Sequence, residues 1–155
     1  MRILFITANR LGDAILSTGL LDHLATKYPE AAITVATGPI PAPIFSYAPG
    51  LERCIIMEKQ PLSSHWLTLW RQVFTIRWDI IVDLRRSALG YFLINKKHYS
   101  IPKPDEQCHR VKFVGRIVGL EKQPPAPRIW VNTQERAKAA KLIPECGPIL
   151  AVAPA

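Results

Sequence analysis

Ile3-Leu4-Phe5-Ile6-Thr7-Ala8-Asn9-Arg10-Leu11-Gly12-Asp13-Ala14-Ile15-Leu16-Ser17-Thr18 changes its hydrophobic period once, and that change decides the fold. The run from Ile3 to Thr7 is too short for a helix and has no alternation, as expected of a parallel strand buried on both faces. From Leu11 onward, apolar or small residues recur at helical spacing through Ala14, Ile15, Thr18, Leu21, Leu24, Ala25 and Tyr28, until Pro29 stops the run. A buried strand that turns directly into an amphipathic helix is the opening unit of an α/β protein.

The rest of the chain repeats this alternation. Residues 32–36 read as a second strand closed by Gly38-Pro39, and residues 53–57 as a third, with a short helix over 41–47 between them. Ser63 or Ser64 caps a long helix running to residue 78, with Trp66, Leu67, Trp70, Val73 and Phe74 at helical spacing, so its tryptophans read as core. A fourth strand over 79–84 carries Asp79 at its start and Asp83 near its end. A helix over 87–95, a fifth strand over 99–102, a polar loop over 103–107 and a helix over 109–118 follow. Residues 123–127, Gln-Pro-Pro-Ala-Pro, read as a semi-rigid linker, after which Thr133 caps a helix over 133–142 and residues 148–153 form a last strand. The fold class expected is therefore α/β, a Rossmann-like doubly wound parallel sheet.

Composition narrows the function classes. The 155 residues are enough for one ordinary domain, and 48% hydrophobic against 21% charged residues argues against a disordered or collagen-like chain. No apolar run approaches the length of a membrane span, so the expectation is a soluble, cytoplasmic protein. Cys54, Cys108 and Cys146 match no metal-ligand or redox spacing and read as idle thiols. A net charge of +8 favours an anionic partner.

In open parallel sheets ligands bind beyond the carboxyl ends of the strands, so the first place for chemistry is the loop containing Asn9, Arg10, Gly12 and Asp13. It has one glycine, which rules out both the GxGxxG dinucleotide fingerprint and the phosphate-binding GxxxxGK[ST] loop. Asp13 has two readings: the N-cap of the helix, with Gly12 easing the turn, or a general base at a strand-to-helix mouth. Arg85 and Arg86, just past the fourth strand, are the best-placed anion ligands. His109 and Arg110 open a later helix, with the histidine as structural as it is functional. Eight cations fall between positions 85 and 116: Arg85, Arg86, Lys96, Lys97, Lys103, Arg110, Lys112 and Arg116.

The stretch from Arg10 to Leu21, followed by Lys27-Tyr28-Pro29-Glu30-Ala31-Ala32-Ile33-Thr34, resembles the opening of the ADP-heptose:lipopolysaccharide heptosyltransferases, glycosyltransferase family 9. The match continues through Asp79 to Arg85, through His109-Arg110-Val111, and into residues 148–155, which resemble the first strand of that family's second domain. Gly19 stands where the family often has proline, a departure expected to loosen the helix. The resemblance implies the N-terminal half of a GT-B fold. Residues 1–122 would be the acceptor-binding domain, 123–132 a linker and 133–155 the start of a truncated nucleotide-sugar domain.

It also implies inverting transfer of heptose from ADP-heptose to the lipopolysaccharide inner core, with Asp13 as catalytic base. Asn9, Arg10, Gly12, Arg85, Arg86, His109 and Arg110 would be substrate-binding residues. ADP-heptose is then a donor substrate bound mainly by the missing domain, and no cofactor or metal is called for. The acceptor would be a lipid A-Kdo glycolipid, met at the cytoplasmic face of the inner membrane, and no nucleic-acid partner is expected. A fragment lacking half the cleft is expected to be inactive. The alternatives are another GT-B sugar transferase, and a non-catalytic basic module for anionic lipid or nucleic acid.

Overall fold

The computed structural model describes residues 1–102, 108–143, 150 and 152. Five strands form one sheet: β1 (Arg2–Ile6), β2 (Ala32–Thr37), β3 (Leu51–Ile56), β4 (Trp78–Asp83) and β5 (Asn95–Ser100). Their order is β3-β2-β1-β4-β5, and every pair is parallel. The helices are α1 (Leu11–Lys27), α2 (His65–Val73), α3 (Arg110–Arg116) and α4 (Thr133–Leu142).

The alternation of side chains along β1 builds both halves of the core. Ile3 and Phe5 face α1 and α3 with Leu20, Leu21, Leu24, Phe113 and Val114, whereas Leu4 and Ile6 face α2 with Leu69 and Val73. With helices on both faces, the sheet is doubly wound and Rossmann-like, as the periodicity predicts. Each fully buried Leu, Ile or Phe contributes about 1.5–3 kcal/mol, so the continuous apolar run of β1 is the main anchor of the fold.

Three elements differ from the sequence reading. The helix expected over 87–95 is a short 3₁₀ turn, Leu89–Phe92, after which β5 begins at Asn95, well before the expected start at 99. The Asn95 amide donates to the carbonyls of Gly90 and Leu93 and closes the turn, and Asn95 pairs with Trp78. β5 is an edge strand, polar and half-exposed, with Lys96 and Lys97 both exposed, so it lacks the apolar run that marks a central strand. The long helix expected over 63–78 is a 3₁₀ turn, Pro61–Ser63, followed by the nine residues of α2. Trp78 is not on it: it starts β4, and its indole Nε1 donates to the Val73 carbonyl at the end of α2 (3.1 Å).

The C-terminal part of the described chain folds back on α1. The Arg128 N–H donates to Thr18 Oγ1 (2.8 Å), the Arg128 guanidinium pairs with Asp22, and the Trp130 indole donates to the same carboxylate (3.2 Å) while its ring joins the core. Gly19 makes this possible. A Cβ there would collide with the carbonyl oxygens of Pro125 and Ala126, so the glycine seats a crossing backbone, where the sequence comparison suggested a loosened helix. The cap of α4 is Asn132, not Thr133: its side chain accepts from the Glu135 N–H (2.7 Å). The loop over 103–107 and most of the strand expected over 148–153 lie outside the described residues, as does Cys146. Cys54 and Cys108 are part-buried free thiols, and burial pushes the Cys54 thiol up, away from reactivity.

Candidate functional site

The strand order reverses between β1 and β4, the place where open parallel sheets bind ligands, and the loops after these two strands lie side by side at the carboxyl edge of the sheet. The β1 loop is fixed from below. Thr7 Oγ1 and Ser17 Oγ share a hydrogen bond (2.8 Å), and the Thr37 hydroxyl donates to the Ala8 carbonyl (2.9 Å). Asn9 packs against Gly38, where a Cβ would crowd it.

Asp13 lies in the first turn of α1, but it does not cap the helix. The helix starts at Leu11 with extended Arg10 as N-cap, and no side chain closes that end. Asp13 is thus left with a part-exposed carboxylate, and its partner is Arg110, whose Nε lies 3.7 Å from Oδ1. That Nε is buried and makes no hydrogen bond, so the pair is an ion pair held at arm's length. Gly12 does not ease a tight turn: it is an ordinary second residue of the helix, and a Cβ there would meet nothing within 4 Å.

Beside the β1 loop, β4 ends in a cage. Asp83 is completely buried. Its carboxylate accepts from the Arg85 N–H (2.8 Å), the Ser87 N–H (2.7 Å) and the Ser87 hydroxyl (2.7 Å). This ties Arg85-Arg86-Ser87 into a turn in which Arg86 takes a left-handed φ of 55°. A non-glycine residue there is uncommon and stores strain of about 1 kcal/mol or more, a cost that the three bonds to Asp83 offset.

The two arginines diverge. Arg85 turns inward: its Nη1 donates to Asn9 Oδ1 (3.1 Å), and its guanidinium lies over the Trp66 ring at 4.7 Å. Burial lowers its pKa and the nearby Asp83 charge works against that, yet a guanidinium stays charged throughout. Arg86 is exposed and has no side-chain partner among the described residues.

Of the predicted site residues, then, the fold brings together Asn9 with Arg85 and Asp13 with Arg110. Arg10 is exposed and unpartnered among the described residues. His109 caps α3, its Nδ1 accepting from the Val111 N–H (3.4 Å), so its ring is engaged structurally. The basic run does not act as one surface: Lys96 pairs with Asp79 and Arg116 with Glu121. Sequence reasoning missed Asp83; Trp66 and Trp70, read as core, are half-buried and pack against the α2 side of the core. Both line a groove of about 900 Å³ beside Arg85 and Arg86. Among the described residues no group of three or more His, Cys, Asp or Glu is placed to hold a metal ion.

Neither a protein-family model nor a curated protein matches the sequence. Solved structures do match the fold. A glycosyl transferase of family 9 from Veillonella parvula DSM 2008 superposes with a TM-score of 0.67 at 18% identity, over 90% of this chain and 48% of its own. The E. coli heptosyltransferase WaaC, solved with ADP, gives 0.59 at 15% identity over 94% and 55%. The E. coli ADP-heptose lps heptosyltransferase II gives 0.58 at 17% identity over 92% and 50%. The chain shares their fold. It spans about half the length of each, and at these identities the likeness is one of architecture. The Rossmann-like sheet read from β1 is thus found in glycosyltransferases, heptosyltransferases among them.

Proposed function

We propose that this chain is the acceptor-binding half of an inverting glycosyltransferase that moves heptose from ADP-heptose to the lipopolysaccharide inner core. The observation that carries the reading is Asp13. It is a part-exposed carboxylate beyond the carboxyl edge of the sheet that caps no helix and, among the described residues, holds no hydrogen bond, in a fold shared with heptosyltransferases. On this reading the Asp13 carboxylate takes the proton of the acceptor hydroxyl as that oxygen attacks the anomeric carbon from the face opposite the nucleotide. The bond from the anomeric carbon to the diphosphate oxygen breaks, its electron pair leaves with ADP, and configuration inverts. Arg110 holds the carboxylate in place, and Asn9, fixed by Arg85, presents its amide to the incoming sugar. Arg86 offers a bidentate donor to acceptor phosphate or carboxylate. The donor is bound by a second domain beyond the carboxyl edge of the sheet, and no cofactor takes part.

Asp13→Asn in the full-length protein tests this. It keeps the size of the side chain and removes the base, so transfer from ADP-heptose to a lipid A-Kdo acceptor should fall by about 10²- to 10⁴-fold. The melting temperature should stay close to that of the parent. A loss smaller than about tenfold rules Asp13 out as the base.

A further inference from the structure

The groove between α2 and the Leu89–Phe92 turn is not needed for proton transfer at Asp13, and its chemistry is different. Its walls are Trp66, Leu67, Trp70, Leu89 and Phe92, its remaining lining includes Arg85, Arg86 and Ser87, and among the described residues no acid lines it. A volume of about 900 Å³ is that of a pocket able to take up most of a small ligand. Leu67 is 51% exposed and Phe92 73%, and Phe74, stacked on Trp70, extends the apolar surface. A contiguous patch of this kind on a soluble domain marks an interaction site. The two non-glycine residues with left-handed φ among those described, Ser63 and Arg86, both line it.

The occupant must match hydrocarbon walls and one unpaired cation together. An apolar protein surface would satisfy the walls and strand the Arg86 charge. Nucleic acid would satisfy Arg86, but its bases need aromatic faces to stack on, and here Arg85 covers Trp66 while Phe74 stacks on Trp70 at 4.6 Å. An anionic lipid satisfies both. We propose that this groove binds the hydrocarbon chain of an anionic lipid, with the lipid's charged group at Arg86. The proposal extends the functional reading above from the sugar of the acceptor to its lipid, and rests on that reading for what the site serves.

The test is a titration of the full-length protein with dodecyl phosphate below its micellar concentration, read by tryptophan fluorescence, beside inorganic phosphate and the neutral dodecyl maltoside. Dodecyl phosphate should give a saturable change through Trp66 and Trp70. Inorganic phosphate should give none, and dodecyl maltoside should bind more weakly. Leu67→Asp and Phe92→Asp, both at exposed positions that tolerate charge, should each weaken dodecyl phosphate binding by about tenfold or more. Arg86→Gln should weaken dodecyl phosphate and leave the maltoside unchanged. Asp13→Asn should bind dodecyl phosphate like the parent, so that failure of the transfer reading and failure of this one are told apart. The proposal is overturned by competition from inorganic phosphate at equal affinity, by parent-like binding in both aspartate variants, or by no binding at all. It is equally overturned if those variants instead convert a dimer to a monomer, which would make a second copy the occupant.

Discussion

Gly12 and Gly19 stand on the same helix for opposite reasons, and the difference is measurable. Nothing lies over Gly12, so Gly12→Ala should fold normally and stabilise α1 by about 0.5 kcal/mol through helix propensity. If substrate passes over that open position, the variant loses transfer activity while its urea midpoint rises. Gly19 meets the backbone carbonyls of Pro125 and Ala126, which have no rotamer to give. Gly19→Ala should therefore destabilise by about 1–3 kcal/mol in the same unfolding measurement. Equal midpoints for the two variants would contradict this account. The sequence shows two glycines in one helical pattern, and only the tertiary crossing at Gly19 separates them.

At the scale of elements, α2 carries a pH dependence. His65, its first residue, is 8% exposed and, among the described residues, neither ring nitrogen has a hydrogen-bond partner. Burial, then the charges of Arg85 and Lys59, lower its pKa from the ordinary 6.5. The unfolded chain therefore takes up a proton at a pH where the folded one does not, and stability falls as pH drops below 6.5. Urea midpoints measured at about pH 7.5 and about pH 5 should show this fall, and His65→Leu should reduce it. An undiminished fall in the variant would place the titration elsewhere. The elements also show what patterning reveals. β1, β2 and β4 are buried on both faces, and their apolar runs are legible to within a residue or two. β5 is not, because an edge strand is half solvated and its Asn-Lys-Lys-His-Tyr-Ser has no apolar run. The long helix read over 63–78 is cut short at both ends: Trp66 and Trp70 lie on α2 and pack against the core as read, but 61–63 is a 3₁₀ turn and Trp78 belongs to the next strand. The candidate site was legible where it follows from topology, in Asn9 and Arg85 just past strand ends and in Asp13 at the start of α1. Asp83 was hidden because its partners, two backbone N–H groups and the Ser87 hydroxyl, are brought to it only by the fold of the turn.

At the scale of the whole molecule, the decisive question is whether residues 124–130 are a linker or part of the first domain. Composition favours a linker outside the first domain, since Pro-Pro-Ala-Pro is a semi-rigid spacer between folded units. Packing favours a strap. Trp130 is buried with the α1 side of the core, its indole and the Arg128 guanidinium share the Asp22 carboxylate, and Thr18 accepts from the backbone beyond the prolines. On the proposed function, the connection to a second domain has to bend. On the strap geometry any bending must occur after Trp130, because everything before it is fastened to α1. Trp130→Ala removes the anchor. If the strap belongs to the first domain, the variant should lose about 3 kcal/mol in urea unfolding, as large aromatic truncations in cores do. Amides of α1 around Thr18 and Asp22 should then exchange with deuterium faster than in the parent. If residues 124–130 were a free linker, Trp130→Ala would leave both the unfolding midpoint and the exchange of α1 unchanged, and the bending point would move back to the prolines.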